Sequence, residues 1–311
     1  MTIINALFVF VALIASLAAS AQSMFRGDTA HTGAYGNEGP RQFHRVKWTF
    51  PTGDRIVSSP AYSEGVIYFG GDDGYIYAVD ASSGRQKWKR KTDGPVPATP
   101  AIDGGTLYVG SFDGKFYALD ARTGTLRWKF TTGGERRFEA KGLHGQLPKN
   151  QTIADAFDVF LSSPVVANAV VYFGSGDGHV YALDAKSGEL RWKFATGDVV
   201  HASPAYADGV VYFGSWDSWF YAVDAQTGAQ KWRFHGGEDA VIHNQVGFQS
   251  SAAVVDGVVY AGSFAHRIVG ADAKSGRVLL RFPHGEYVPV SGSGRRLLLH
   301  GYSRLYAVEP A

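Results

Sequence analysis

SSPAYSEGVIYFGGDDGYIYAVDASSGRQKW, beginning at Ser58, decides the fold, because the same stretch returns four more times. ATPAIDGGTLYVGSFDGKFYALDARTGTLRW begins at Ala98, SSPVVANAVVYFGSGDGHVYALDAKSGELRW at Ser162, ASPAYADGVVYFGSWDSWFYAVDAQTGAQKW at Ala202 and SSAAVVDGVVYAGSFAHRIVGADAKSGRVLL at Ser250. Self-similarity at a period of about 40 residues marks a repeat architecture. Each copy holds four short runs rich in Val, Tyr, Phe and Trp, separated by Asp-Gly, Asn-Ala, Ser-Gly or Thr-Gly punctuation. That is the signature of three successive tight hairpins, so each copy predicts one four-stranded antiparallel sheet. We call its strands A (Ser-Ser-Pro-Ala), B (Val-Tyr-Phe-Gly), C (Tyr-Ala-Leu-Asp-Ala) and D (Leu-Arg-Trp-Lys-Phe).

A sheet that is apolar on both faces must stack on its neighbours, and radial stacking gives an all-β propeller. Strand A opens on small pairs, Ser58-Ser59, Ala98-Thr99, Ser162-Ser163, Ala202-Ser203 and Ser250-Ser251, as expected where innermost strands converge on a narrow channel. Asp80, Asp120, Asp184, Asp224 and Asp272 end strand C, and Trp88, Trp128, Trp192 and Trp232 sit on strand D. Periodicity assigns both sets to structure: the carboxylate accepts backbone hydrogen bonds in the next turn, and the Trp fills the wedge between diverging blades.

The chain end sets the blade number. Residues 287–310 contain strands A, B and C (RLYAV from Arg304) but no D, whereas Val46-Lys47-Trp48-Thr49-Phe50 reads as a D strand without a blade. The prediction is a six-bladed propeller of four-stranded antiparallel blades, closed by the N-terminal strand, which removes the exposed sheet edge; seven or eight blades are the alternatives. Truncation before Trp48 is then expected to be tolerated, and deletion through Phe50 to open the ring. Two insertions, 133–161 and 236–249, both lie between strand D of one blade and strand A of the next; neither is a hidden blade. The remaining boundaries are a signal peptide at 1–21, an N-terminal arm at 22–45 and the propeller at 46–311.

Composition narrows the function classes. The 311 residues are 45% hydrophobic and 19% charged, with 30 Lys and Arg against 28 Asp and Glu. No polybasic block exists to release counterions, so neither nucleic acid nor an electrostatic membrane anchor is expected. An apolar run over residues 3–17 followed by Ala19-Ser20-Ala21 reads as an export signal, although no Lys or Arg precedes it; a retained anchor is the alternative. The chain is therefore expected to be periplasmic or secreted. It has no cysteine, hence no disulfide, thiolate metal site or lipid-bearing cysteine.

With these blocks in view, the sequence resembles the PQQ-like repeat family of β-propellers, which includes quinoprotein dehydrogenases and the scaffold lipoprotein BamB. The carriers are five blocks reading [GA]-x-[VIL]-Y-[FVA]-G-[SG] with [AG]-x-D-A-x-[ST]-G, and the opening Met24-Phe25-Arg26-Gly27-Asp28 with His31-Thr32-Gly33. The enzymes of that family imply eight blades, a vicinal cysteine disulfide and a Trp against pyrroloquinoline quinone, and calcium beside a catalytic Asp. Here six blades are predicted and cysteine is lacking, so no residue carries over as a cofactor ligand. The resemblance favours a non-catalytic binding or protein-interaction scaffold. A PQQ- and calcium-dependent dehydrogenase, or a metal-dependent enzyme, is the alternative; the sequence itself requires no cofactor.

The candidate site is the face that carries both insertions and the B-to-C turns. There Asp73-Gly74, Asp113-Gly114 and Asp177-Gly178 give way to Trp216-Asp217-Ser218-Trp219, Phe264-Ala265-His266-Arg267 and Tyr302-Ser303-Arg304, changes that help no hairpin. The long insertion offers Arg136, Arg137, His144, Gln146, Asp155 and Asp158, the short one Asp239, His243, Asn244 and Gln245, and His201 precedes strand A of the fourth blade. His144, His201 and His243 with Asp155, Asp158 or Asp239 could supply nitrogen and oxygen to a metal, but no fixed spacing supports one and none is assigned. Trp216 and Trp219 either stack on a sugar, quinone or partner side chain or cover the insertions as a small satellite core. A protein, small-molecule or carbohydrate partner is expected here.

Overall fold

A computed structural model describes residues 23–33, 45–135, 137–139, 152–154, 161–236, 247–248, 250–263, 267–283, 291–293, 296–301 and 304–308. Blade 1 comprises β1 (Ala61–Ser63), β2 (Val66–Gly70), β3 (Tyr75–Asp80) and β4 (Gln86–Lys91), and blade 2 β5 (Ala101–Asp103), β6 (Thr106–Ser111), β7 (Lys115–Asp120) and β8 (Leu126–Thr131). Within the long insertion, β9 (Arg137–Glu139) and β10 (Thr152–Ala154) form a two-stranded ladder. Blade 3 is β11 (Val165–Ala167), β12 (Val170–Gly174), β13 (His179–Asp184) and β14 (Leu190–Ala195). Blade 4 is β15 (Ala205–Ala207), β16 (Val210–Gly214), β17 (Trp219–Asp224) and β18 (Gln230–His235). Blade 5 is β19 (Ala253–Val255), β20 (Val258–Ser263), β21 (Arg267–Asp272) and β22 (Val278–Phe282), and blade 6 β23 (Ser291–Ser293), β24 (Arg296–Gly301) and β25 (Arg304–Val308). Every blade is an antiparallel meander in chain order, five with four strands and the sixth with three.

The small residues of strand A have a more specific role than fitting a narrow channel. The backbone N–H of Ser59 donates to Thr99 Oγ1, Thr99 to Ser163 Oγ, Ser163 to Ser203 Oγ and Ser203 to Ser251 Oγ, all within 3.0–3.2 Å. A chain of hydroxyls thus links the inner strands of blades 1 to 5, satisfying backbone groups that the edge of each sheet would leave open.

Farther out, the blades are joined through one carbonyl per turn. Ala121 O accepts from Tyr68 Oη and Trp88 Nε1, and Ala185, Ala225 and Ala273 each receive the same Tyr–Trp pair from the preceding blade. The turn glycine lets the indole approach: a Cβ on Gly124, at φ 72°, would stand 2.7 Å from the Trp88 ring. The strand-C aspartates behave as expected, Asp184 Oδ1 accepting from Lys186 N and Ser187 N.

Residues 46–50 carry no strand ladder, and β25 is the outermost paired strand of its sheet. The N-terminal segment nevertheless occupies the D position. Trp48 Nε1 donates to Ala81 O at 3.1 Å and its ring abuts Gly84, as Trp88 does with Ala121 and Gly124. Phe50 packs edge-on against Phe69 and Tyr77, as Phe194 does against Phe213 and Tyr221. Closure therefore runs through side chains toward blade 1 rather than through hydrogen bonds toward β25. Trp48→Ala is expected to cost about 2–3 kcal/mol in urea unfolding, below the range for a fully buried Trp because this one is only partly buried. An unchanged midpoint would remove the segment from the closure.

The arm binds the ring as well. Ser23 O, Thr29 O, Ala30 O and Thr32 O accept from the N–H groups of Ile102, Tyr206, Val254 and Gly292, inner-strand residues of blades 2, 4, 5 and 6. These residues adjoin the A-to-B turns, so the arm crosses the channel at the end opposite the insertions. The expectation that truncation before Trp48 is tolerated is revised accordingly.

Candidate functional site

The B-to-C turns and D-to-A connectors are tied together by one repeated carboxylate. Asp73, Asp113 and Asp217 each accept from the N–H two residues on, from a Tyr hydroxyl four residues on, and from a connector N–H, that of Gly53, Asp93 and Gly197 respectively. Asp177 does the same with His179, Tyr181 and Gly133. Burial first, and then the Asp217 carboxylate, push the Tyr221 phenol well above its ordinary pKa. Asp217, a sequence candidate for binding, is thus committed to the framework in the same way as its three counterparts.

The residue before each latch lies against a connector, with Asp72, Phe112 and Trp216 donating their N–H to Arg55 O, Pro95 O and Val199 O. This position is charged in blade 1, where Asp72 pairs with Arg55, aromatic in blades 2 and 4, and Gly176 in blade 3. Ser218 holds φ 73° where the other three turns have Gly74, Gly114 and Gly178. A left-handed non-glycine residue costs energy that the fold alone does not demand.

His201 occupies the connector position filled by Val57, Pro97 and Leu161 in other blades. Its Nε2 stands 2.8 Å from Oε2 of Glu135, the two side chains only 3% and 11% exposed. Phe112 and Trp216 meet the imidazole edge-on, with centroids at 6.3 and 6.2 Å. Blades 2 and 4 thereby place two aromatic walls beside a buried imidazole–carboxylate pair, and Gly176 leaves the space between them open. A cleft of about 390 Å³ opens on the Glu135 side of this pair, over the blade 3 turn, lined by Gly133, Glu135, Gly176, Asp177, Asp198 and their neighbours but not by Phe112, His201 or Trp216. Among the described residues, the lining contains three carboxylates and no Lys or Arg.

Of the paired tryptophans, Trp216 reaches the channel mouth, while Trp219 lies outward under Arg233, whose guanidinium is 4.1 Å above the ring, and beside His235. Arg137 and Arg267 lie on β9 and β21 by backbone. Arg136, His144, Gln146, Asp155, Asp158, Asp239, His243, Asn244, Gln245 and His266 fall outside the described residues. Sequence reading passed over Glu135 and Phe112. Aligning the connectors and the residue before each latch would have exposed Phe112; Glu135, at the start of an insertion, has no repeat counterpart to stand out against. Among the described residues, no group of three or more His, Cys, Asp or Glu side chains is arranged to hold a metal.

Residues 41–158 and 146–286 match the family described as outer membrane protein assembly factor BamB, well over half of the chain. The chain belongs to this family. Among solved structures, this BamB-family propeller is similar to BamB from Moraxella catarrhalis, at 17% identity and a TM-score of 0.67 over 85% of this chain and 77% of that one. It is also similar to the quinohemoprotein alcohol dehydrogenase of Comamonas testosteroni, with 15% identity and a TM-score of 0.69, and to a europium-containing methanol dehydrogenase, with 16% and 0.65. The chain spans 57% and 58% of those two proteins. At such identities the likeness shows the propeller fold alone. No curated protein matches the sequence.

Proposed function

We propose that this BamB-family propeller is an exported, periplasmic binding or protein-interaction scaffold, and that its partner engages the insertion-bearing mouth of the channel. The observation that carries the reading is the buried His201–Glu135 pair between Phe112 and Trp216, built at a connector position that is apolar in three other blades. A buried ionisable pair is expensive to maintain and serves packing no better than a Val does. The charge of the cleft supports the non-catalytic side of the proposal. A tricarboxylate quinone would meet Glu135, Asp177 and Asp198 there and, among the described residues of the lining, no Lys or Arg, a set that does not fit PQQ.

A thermal-shift screen of the mature chain with oligosaccharides, peptides, zinc and PQQ plus calcium tests this. A ligand at 100 times its dissociation constant stabilises by about 2.7 kcal/mol. The expected result is a shift with a carbohydrate or peptide that Trp216→Ala abolishes, and none with PQQ and calcium. A PQQ-specific shift would favour the dehydrogenase alternative.

A further inference from the structure

The outer strands of the blades, and the 46–50 segment that stands in for one, contain Lys and Arg but no Asp or Glu. Blades 2, 3 and 4 compensate part of this charge internally. Arg127, Arg191 and Lys231 pair with the strand-C aspartates Asp120, Asp184 and Asp224 at 2.9, 2.7 and 3.5 Å. Blade 1 does not. Its Asp80 Oδ1 accepts from the N–H and hydroxyl groups of both Ser82 and Ser83, and among the described residues no carboxylate lies within ion-pair distance of Lys87, Lys89 or Lys91.

Lys89 and Lys91 alternate along β4 and share one face at a spacing of about 6.8 Å, and Lys87 stands beside them at a β-bulge, between Gln86 opposite Val79 and Trp88 opposite Ala78. Trp88, between two of them, points the other way into the wedge with blade 2. Lys89 and Lys91 are held above the Tyr75 ring, their Nζ atoms 4.5 and 4.4 Å from its centroid. All three are exposed, and β4 is the outermost strand of its sheet. Lysines on an edge ordinarily guard against strand pairing. At the corresponding positions, however, β8 reads Arg127, Lys129, Thr131, β14 reads Arg191, Lys193, Ala195, and β18 reads Lys231, Arg233, His235. Only β4 carries lysine at all three, and it alone lacks the internal counter-charge at the first.

We propose that the outer edge of blade 1 is a docking site for an extended acidic segment of a partner protein, added beside β4 as a fifth strand. The open backbone edge supplies the ladder, alternate carboxylates face Lys89 and Lys91, and Lys87 at the bulge adds a third positive charge at one end of the strand. Stacking on Tyr75 fixes two of the ammonium groups beforehand and so lowers the ordering cost of binding. This surface is separate from the channel mouth and does not depend on the function proposed there.

The probe is a fluorescein-labelled decapeptide alternating Glu with Val, read by anisotropy against the mature chain, alongside a peptide of the same composition with its Glu residues in one block. The alternating peptide is expected to bind at least tenfold more tightly than the blocked one, to weaken with salt, and to slow amide exchange in β4. K87E/K89E/K91E is expected to weaken it at least tenfold with an unchanged melting temperature, and K186E/K274E to leave it unaltered. Equal binding of the two peptides would overturn the proposal by reducing the site to undirected charge. So would an unaffected triple variant, unchanged exchange in β4, or binding to phosphatidylglycerol vesicles without binding to the peptide.

Discussion

A chain beginning at residue 34 is expected to unfold about 4 kcal/mol more easily than one beginning at residue 22, with residues 45–50 present in both. The four inner-strand N–H groups that donate to Ser23, Thr29, Ala30 and Thr32 would lose their acceptors. A net loss near 1 kcal/mol per hydrogen bond gives the estimate. Met24 packs against the clusters built on Val165 and Val166, so its removal also uncovers apolar surface between blades. Urea unfolding of the two chains measures the difference. Equal midpoints would show that the arm rests on the ring without holding it. Since the 46–50 segment stays in place, the comparison separates the arm from the contribution of Trp48.

The propeller could be read from the sequence because its determinants repeat. Asp80 and its four counterparts, the strand-D tryptophans and the turn glycines each occur at one register, so their roles follow from periodicity. The arm could not be read that way. It works through main-chain carbonyls, which leave no residue signature, and its partners Ile102, Tyr206, Val254 and Gly292 share nothing but their place in strand A. The side-chain closure by Trp48 was legible, but the missing ladder to β25 was not, because VKWTF has all the side-chain properties of a D strand.

The site shows the same division. Trp216 stood out because it interrupts a repeated turn, and His201 because it precedes a repeated strand. Whether they meet depends on the radius of the ring, which brings blades 2 and 4 within aromatic contact of one imidazole. Asp217 was conspicuous beside two tryptophans, yet its hydrogen bonds are those of Asp73 and Asp113. The departure in blade 4 therefore lies in its neighbours Trp216 and Ser218, not in the carboxylate.

Acidification from pH 7.5 to 5 is expected to remove about 2 kcal/mol of stability through His31 alone. This side chain is fully buried in the arm, with no hydrogen-bond partner for either ring nitrogen. Burial, and then the nearby Arg26 guanidinium, pull its pKa down to about 3; the Ala252 carbonyl favours the protonated form but lies outside hydrogen-bonding geometry. Arg26 is fixed by donating to His31 O and Ser291 Oγ, and the Asp28 carboxylate is engaged by Thr32 N and its hydroxyl. Because the folded pKa is below the unfolded value near 6.5, the unfolded chain takes up the proton first. Stability is therefore fully present above about pH 7.5, falls as the pH drops through 6.5, and stops falling below about pH 3. His31→Asn tests the assignment, since asparagine is neutral throughout and tolerates the φ of 56° found here. The variant is expected to start less stable at pH 7.5, having lost the packing of the ring against Phe25, and to lose about 2 kcal/mol less than the parent on reaching pH 5. Parallel pH profiles for the two proteins would place the acid sensitivity in another histidine and leave the arm indifferent to pH.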